Sequence, residues 1–142
     1  MREQALGRHL ILEIWDADPR LLNDAHALEK LLLQAARAAN ATVIKSIFHH
    51  FSPYGVSGVV VIAESHLTVH TWPEYGYAAI DIFTCEPKMD LEAAVEIIVR
   101  GLGGRIMPIE ISRGRQYRLY KHPVHEMEVR SSGQGRSVGR PY

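Results

Sequence analysis

The chain has 142 residues, 46% of them hydrophobic, with 16 basic and 16 acidic side chains and a formal net charge of zero. That length and apolar content suit one domain with a real core, and the charge balance points to neither a nucleic-acid surface nor an anionic membrane. The longest apolar runs are too short to span a bilayer, the opening MREQALGRHL has no signal-peptide pattern, and one cysteine, Cys85, excludes an intramolecular disulfide, so a cytoplasmic protein is expected. On composition alone Cys85 reads as buried filler, as free cysteines usually are.

In chain order, RHLILEIWDA is apolar on both faces and predicts a strand. DPRLLNDAHALEKLLLQAARAAN predicts one helix: Asp18 caps it, Pro19 takes the first helical position, and Leu21, Leu22, Ala25, Leu28, Leu31, Leu32, Ala35 and Ala36 recur at helical spacing up to a stop at Asn40. ATVIKSIFHHF is β-branched and aromatic and reads as a strand; SPYG is a turn signal. VSGVVVIA, HLTVHTW and YAAIDIFT follow as strands, the last two joined by PEYG. DLEAAVEIIVRGLGG predicts a second helix from an Asp90 cap to Gly103 or Gly104, and RIMPIEISRG a last strand that Pro108 confines to an edge. The order is β-α-β-β-β-α-β if two middle strands act as one long hairpin. Two helices cover one face of such a sheet, so the expected class is α+β: a two-layer sandwich of a mostly antiparallel sheet and two helices. Residues 1–115 form this domain; residues 116–142, ending RSSGQGRSVGRPY, read as a flexible basic tail rich in Gly, Ser and Arg.

Between VSGVVVIA and HLTVHTW stand Glu64 and Ser65, where a tight hairpin favours Asn-Gly or Asp-Gly. If Glu64 and Ser65 are the two turn residues, Ser57 faces Trp72 and Val59 faces His70; with PEYG as the next turn, Trp72 faces Tyr77, Asp81 faces Thr68 and Cys85 comes abreast of Glu64. Ser57, His66, Thr68, His70, Asp81 and Cys85 then share one face, and Val60, Ile62, Leu67, Val69, Ile80 and Ile82 share the other, against the helices. A merely wet face would carry Lys, Glu and Thr; Ser, His, Asp, Cys and aromatics point to a site, an interface or both.

A Ser-His-Asp hydrolase lacks its G-x-S-x-G elbow here, a Cys-His nucleophile is open, a zinc site lacks ligand spacing, and no phosphate-binding glycine motif occurs. A fourth chemistry suits the corner serine. The Ser65 hydroxyl attacks the Glu64 carbonyl, the amide becomes an ester, and β-elimination breaks the chain and leaves a pyruvoyl group. That needs an oxyanion donor and a base, for which Ser57 and His70 are candidates beside the turn.

HLTVHTWPEYGYAAIDIFTC, preceded by PYGVSGVVVIAES, with GRHLILEIWDAD near the start and IFHHF before the turn, resembles the prokaryotic S-adenosylmethionine decarboxylase proenzymes over roughly residues 5–115. The resemblance implies self-cleavage between Glu64 and Ser65 into a β chain (1–64) and an α chain from Ser65, with a covalent pyruvoyl group made from Ser65 as the cofactor and no metal. It implies that Ser57 and His70 assist processing, His70 as proton acceptor, and that Cys85 is the proton donor in catalysis. Phe51 and Glu74 look like the adenine-stacking and ribose-binding positions, and Trp72 is a further aromatic for an adenosyl sulfonium. The implied reaction is decarboxylation of S-adenosyl-L-methionine through a Schiff base, giving the aminopropyl donor for spermidine synthesis. The implied assembly is (αβ)2 from two precursors with the sites at their junction. Arginine or ornithine is the alternative substrate on the same machinery, with Asp81 or Glu74 as the carboxylate for a guanidinium. A non-catalytic binding or regulatory subunit is the other alternative, against which stand the intact Ser65, His70 and Cys85.

Overall fold

The computed structural model describes residues 5–114; the expected basic tail, residues 116–142, lies outside them. Six strands form one fully antiparallel sheet: β1 (Gly7–Trp15), β2 (Val43–His50), β3 (Val56–Ile62), β4 (Ser65–Trp72), β5 (Tyr77–Thr84) and β6 (Arg105–Arg113), in spatial order β2-β3-β4-β5-β1-β6. The middle strands are thus four and separate. Three helices, α1 (Pro19–Leu22), α2 (Ala25–Ala38) and α3 (Leu91–Leu102), accompany the sheet, α2 and α3 packing side by side.

Alternation decides which face the long helices cover. Leu10, Leu12 and Ile14 of β1, Val60 and Ile62 of β3, Leu67 and Val69 of β4, and Ile80 and Ile82 of β5 are all buried. Against them lie Leu28, Leu32, Ala35 and Ala36 of α2 and Leu91, Ala94, Ile98 and Leu102 of α3, each set spaced along one helical stripe. The two-layer α+β sandwich and the six expected apolar positions of β3, β4 and β5 stand as read from the sequence.

The first helix is two, not one. Asn23 ends α1, and the Asp24 carboxylate accepts the backbone N–H of Ala27 as a fresh N-cap for α2; Asp18 caps α1 in the same way through Arg20. Two adjacent side chains that satisfy backbone groups make a break cheaper than a continuous helix. Asp90 caps α3 through Ala93, and β6, with Pro108 opposite Leu12, is an edge strand.

The β3–β4 turn also differs. Its two residues are Ala63 and Glu64, so Ile62 faces Ser65 and Ser57 faces His70, not Trp72, while Val59 faces Thr68, not His70. The expected partners are off by two positions. Because side chains alternate with period two, an error of two keeps every side chain on its expected face. The β4–β5 register is as expected: Trp72 faces Tyr77 and Thr68 faces Asp81, across a short turn at Pro73–Tyr75 closed by Gly76 at φ 60°. No helix among the described residues is long and apolar enough to cross a membrane.

Candidate active site

Ser65 opens β4 with φ at 148°, in a region that only glycine visits freely. With the Cα substituents about 120° apart around N–Cα, that φ turns Cβ to about 30° from eclipsing the Glu64 carbonyl carbon; an extended φ would hold it about 120° away. The serine side chain is thereby folded back onto the peptide bond that precedes it.

The oxygen of that bond is also held. Cys85 donates its backbone N–H to the Glu64 carbonyl oxygen at 3.0 Å, and its thiol reaches the same oxygen at 3.2 Å. Cys85 is exposed, so the buried-filler reading is wrong: the strand ends at Thr84, and the next residue turns out beside the β3–β4 turn. On the other flank Thr42 accepts the N–H of Ala63 at 2.9 Å and donates its own N–H to the Glu64 carboxylate at 2.7 Å.

Ser57 and His70 form a second pair, Ser57 Oγ to His70 Nδ1 at 2.8 Å. They are not beside the turn. His70 stands five positions beyond Ser65 on β4, about 17 Å along the strand, and Ser57 lies directly across from it. The expectation that both flank the Glu-Ser corner is corrected within one chain: strand rise alone carries them to the far end of the hairpin, and the two-position change in register only gives Ser57 His70 instead of Trp72 as its partner. There they line a cleft of about 260 Å³ with Phe51, Tyr54, Trp72 and Glu74. Asn23 closes the loop that bounds this cleft, its Oδ1 accepting the N–H of Gly55 at 3.0 Å and bonding His50 Nε2 at 2.9 Å.

Between the two ends, Asp81 gathers His9 (2.6 Å), His66 (3.2 Å) and the hydroxyl of Thr68. Burial would raise the Asp81 carboxyl, but hydrogen bonds from Thr68, His9 and His66 and the charge of His66 outweigh it and hold the group below its ordinary value. The trio of His9, His66 and Asp81 is close enough to suggest a cation site. Arg113, however, faces His9 Nδ1 at 3.2 Å. A guanidinium can only donate, so His9 carries its proton on Nε2 and gives it to Asp81; a His that binds a metal through Nε2 needs the opposite tautomer.

The family model described as S-adenosylmethionine decarboxylase matches residues 8–114 of the chain. The chain belongs to the S-adenosylmethionine decarboxylase family. A relative in this family, the S-adenosylmethionine decarboxylase proenzyme of Acidithiobacillus ferrooxidans, is 43% identical over 128 residues, 89% of this chain and 96% of its own length. The proenzyme of the same name from Thermotoga maritima is 50% identical over 113 residues, 79% of this chain and 87% of its own. The solved adenosylmethionine decarboxylase from Aquifex aeolicus superposes with a TM-score of 0.74 at 33% identity, covering 81% of this chain and 96% of that one.

Within this family member the singled-out residues fall into two groups at opposite ends of the β3–β4 hairpin: Glu64, Ser65 and Cys85 at one end, and Phe51, Ser57, His70, Trp72 and Glu74 at the other. Sequence reasoning missed His9, Thr42 and Asn23. His9 could be placed only by knowing that β1 inserts beside β5. Thr42 acts through its backbone, which leaves no residue-type signal, and Asn23 sat inside what read as one helix.

Proposed function

We propose that the chain cleaves itself between Glu64 and Ser65 and then decarboxylates S-adenosyl-L-methionine to S-adenosyl 3-(methylthio)propylamine, the aminopropyl donor for spermidine synthesis. One observation carries the first half: the Ser65 φ of 148° beneath a Glu64 carbonyl held by Cys85. The hydroxyl needs only rotation about χ1 to reach the carbonyl carbon, and the Cys85 N–H is already on the oxygen where negative charge would develop. Ser65 therefore fits as the source of a pyruvoyl group. Such a group supplies an electron sink for the pair released when a carboxylate leaves. The Cys85 thiol, just past the end of β5 beside Ser65, would return a proton to the substrate carbon.

Ser57 on β3 and His70 on β4 lie too far from the turn to serve Ser65 of their own chain, and this supports a homodimer whose sites are shared. The helix-free face exposes Ile47, Met107, Ile109 and Ile111, with Met107 at 63%, a surface better suited to burial than to water. Two chains paired face to face about a two-fold axis would set the Ser57–His70 pair of one protomer against the Ser65 of the other. His70 would then accept the Ser65 proton in processing, with Ser57 orienting it, and Phe51, Trp72 and Glu74 would hold the adenosine.

The substrate reading is supported by where the carboxylates are. Asp81, one candidate for a guanidinium, is already engaged by Thr68, His9 and His66, and it does not line the cleft. The cleft brings three aromatic side chains, Phe51, Tyr54 and Trp72, together with a single carboxylate, Glu74, and the aromatic surface matches an adenine.

The test has two arms. Intact mass of the purified chain should give two fragments divided between Glu64 and Ser65. Release of carbon dioxide should be measured in parallel from S-adenosylmethionine, arginine and ornithine, and only the first should be consumed. An uncut chain, or preferred turnover of arginine, would sink the reading.

A further inference from the structure

The Ser65 φ is costly, and something must prevent its relaxation. The torsion lies between two parts of the chain that are separately fixed. On its C-terminal side, Ser65 is paired with Thr84 of β5. On its N-terminal side, Glu64 is gripped from both flanks: its carbonyl by Cys85, its carboxylate by the N–H of Thr42. Were Glu64 free, the Glu64–Ser65 peptide plane could rotate, φ would fall to an ordinary extended value, and Cβ would swing away from the carbonyl carbon.

We propose that the Glu64 side chain is a positioning residue for self-cleavage, a latch that seats the β3–β4 turn on Thr42 and so keeps Ser65 folded against the bond it attacks. The inference rests on the reading of Ser65 as the attacking residue. Thr42 is well suited to receive the latch. It stands just before β2, and its carbonyl accepts the N–H of Ala63, so both polar groups of one residue hold both residues of the turn. The ladder between β2 and β3, whose pairing ends with Val43 opposite Ile62, is in effect continued by one more step in which a side-chain carboxylate takes the place of a backbone carbonyl.

The step that the latch serves is the first one. The Ser65 Oγ–carbon bond forms, the carbon–nitrogen bond of Glu64–Ser65 breaks, and the hydroxyl proton ends on the freed amine of Ser65, giving an ester. The latch acts by geometry and not by charge. A side-chain carbonyl of the same reach should serve nearly as well, and a shorter carboxylate should not.

The experiment compares freshly purified wild type, Glu64→Gln, Glu64→Asp and Glu64→Ala by the time course of intact mass. Gln should cut within about threefold of wild type; Asp and Ala should be slowed about tenfold or more, the factor for a loss of one ordinary hydrogen bond's worth of preorganisation. Hydroxylamine, which cleaves esters, should fail to rescue Ala, because the ester itself is what forms slowly. The latch is overturned if Ala keeps pace with wild type, if Gln is as slow as Ala, or if hydroxylamine restores cutting in Ala. Should Ala not fold, the comparison of Gln with Asp decides. A wild type that stays whole would instead overturn the reading of the cleavage point.

Discussion

Cys85 approaches the Glu64 carbonyl oxygen twice, with its backbone N–H at 3.0 Å and its thiol at 3.2 Å. The two contacts are separable by mutation, since only one depends on the side chain. Cys85→Ala should keep the backbone donor and still be cut, though more slowly. The ketone-bearing product should then turn over at least about 100-fold more slowly for want of a proton donor. Turnover per titrated ketone, in wild type and variant, is the deciding ratio; equality would pass the donor's role to another group.

Removing the attacking oxygen should be absolute. Ser65→Ala should remain one full-length species by mass, because alanine has no hydroxyl to attack the Glu64 carbonyl. Two fragments from this variant would rule out the acyl shift.

The separation of His70 from Ser65 along β4 makes a complementation test possible. Neither His70→Ala nor Ser65→Ala should be processed efficiently alone. Unfolded together in equal amounts and refolded as mixed dimers, about a quarter of all sites should pair an intact Ser65 with an intact His70, and about that fraction of chains should be cut. No cutting in the mixture would mean that each site is built within one protomer.

Asp81 carries a stability prediction whose sign follows from its carboxyl being held below the ordinary 3.8 in the folded chain. A group with a depressed folded-state value stabilises above its unfolded value, and that contribution is lost as pH falls through the folded one. Urea unfolding of wild type and Asp81→Asn should therefore show an advantage for wild type at neutral pH that shrinks as pH drops below 3.8. A constant difference across that window would refute the assignment.

What was legible in the sequence was mostly a matter of period. The apolar positions of β3, β4 and β5 and the helix stripes follow from alternation and from i, i+3, i+4 spacing, and a turn displaced by one residue, which moves each cross-strand partner by two, left the faces intact. What was not legible depends on partners distant in the chain. Asp24 reads as a helix interior until its carboxylate is seen capping Ala27. His70 is five residues from Ser65 in sequence, which suggests nearness, yet in a strand that is about 17 Å. Thr42 carries nothing in its side chain that marks it, because the turn is seated on its backbone.

The strand order has one more consequence. A cut between Glu64 and Ser65 would assign β1, β2 and β3 to one product and β4, β5 and β6 to the other, yet the sheet runs β2-β3-β4-β5-β1-β6. The β1 strand of the first product is enclosed on both sides by strands of the second. Three seams, β3 with β4, β5 with β1 and β1 with β6, would join the two pieces after the covalent link is gone. Severed halves could not drift apart by peeling at one edge; they are interleaved, and parting them means dismantling the sheet. Folding would therefore have to precede cutting, and a processed molecule, once denatured, would have to recover by a meeting of two chains whose rate depends on concentration.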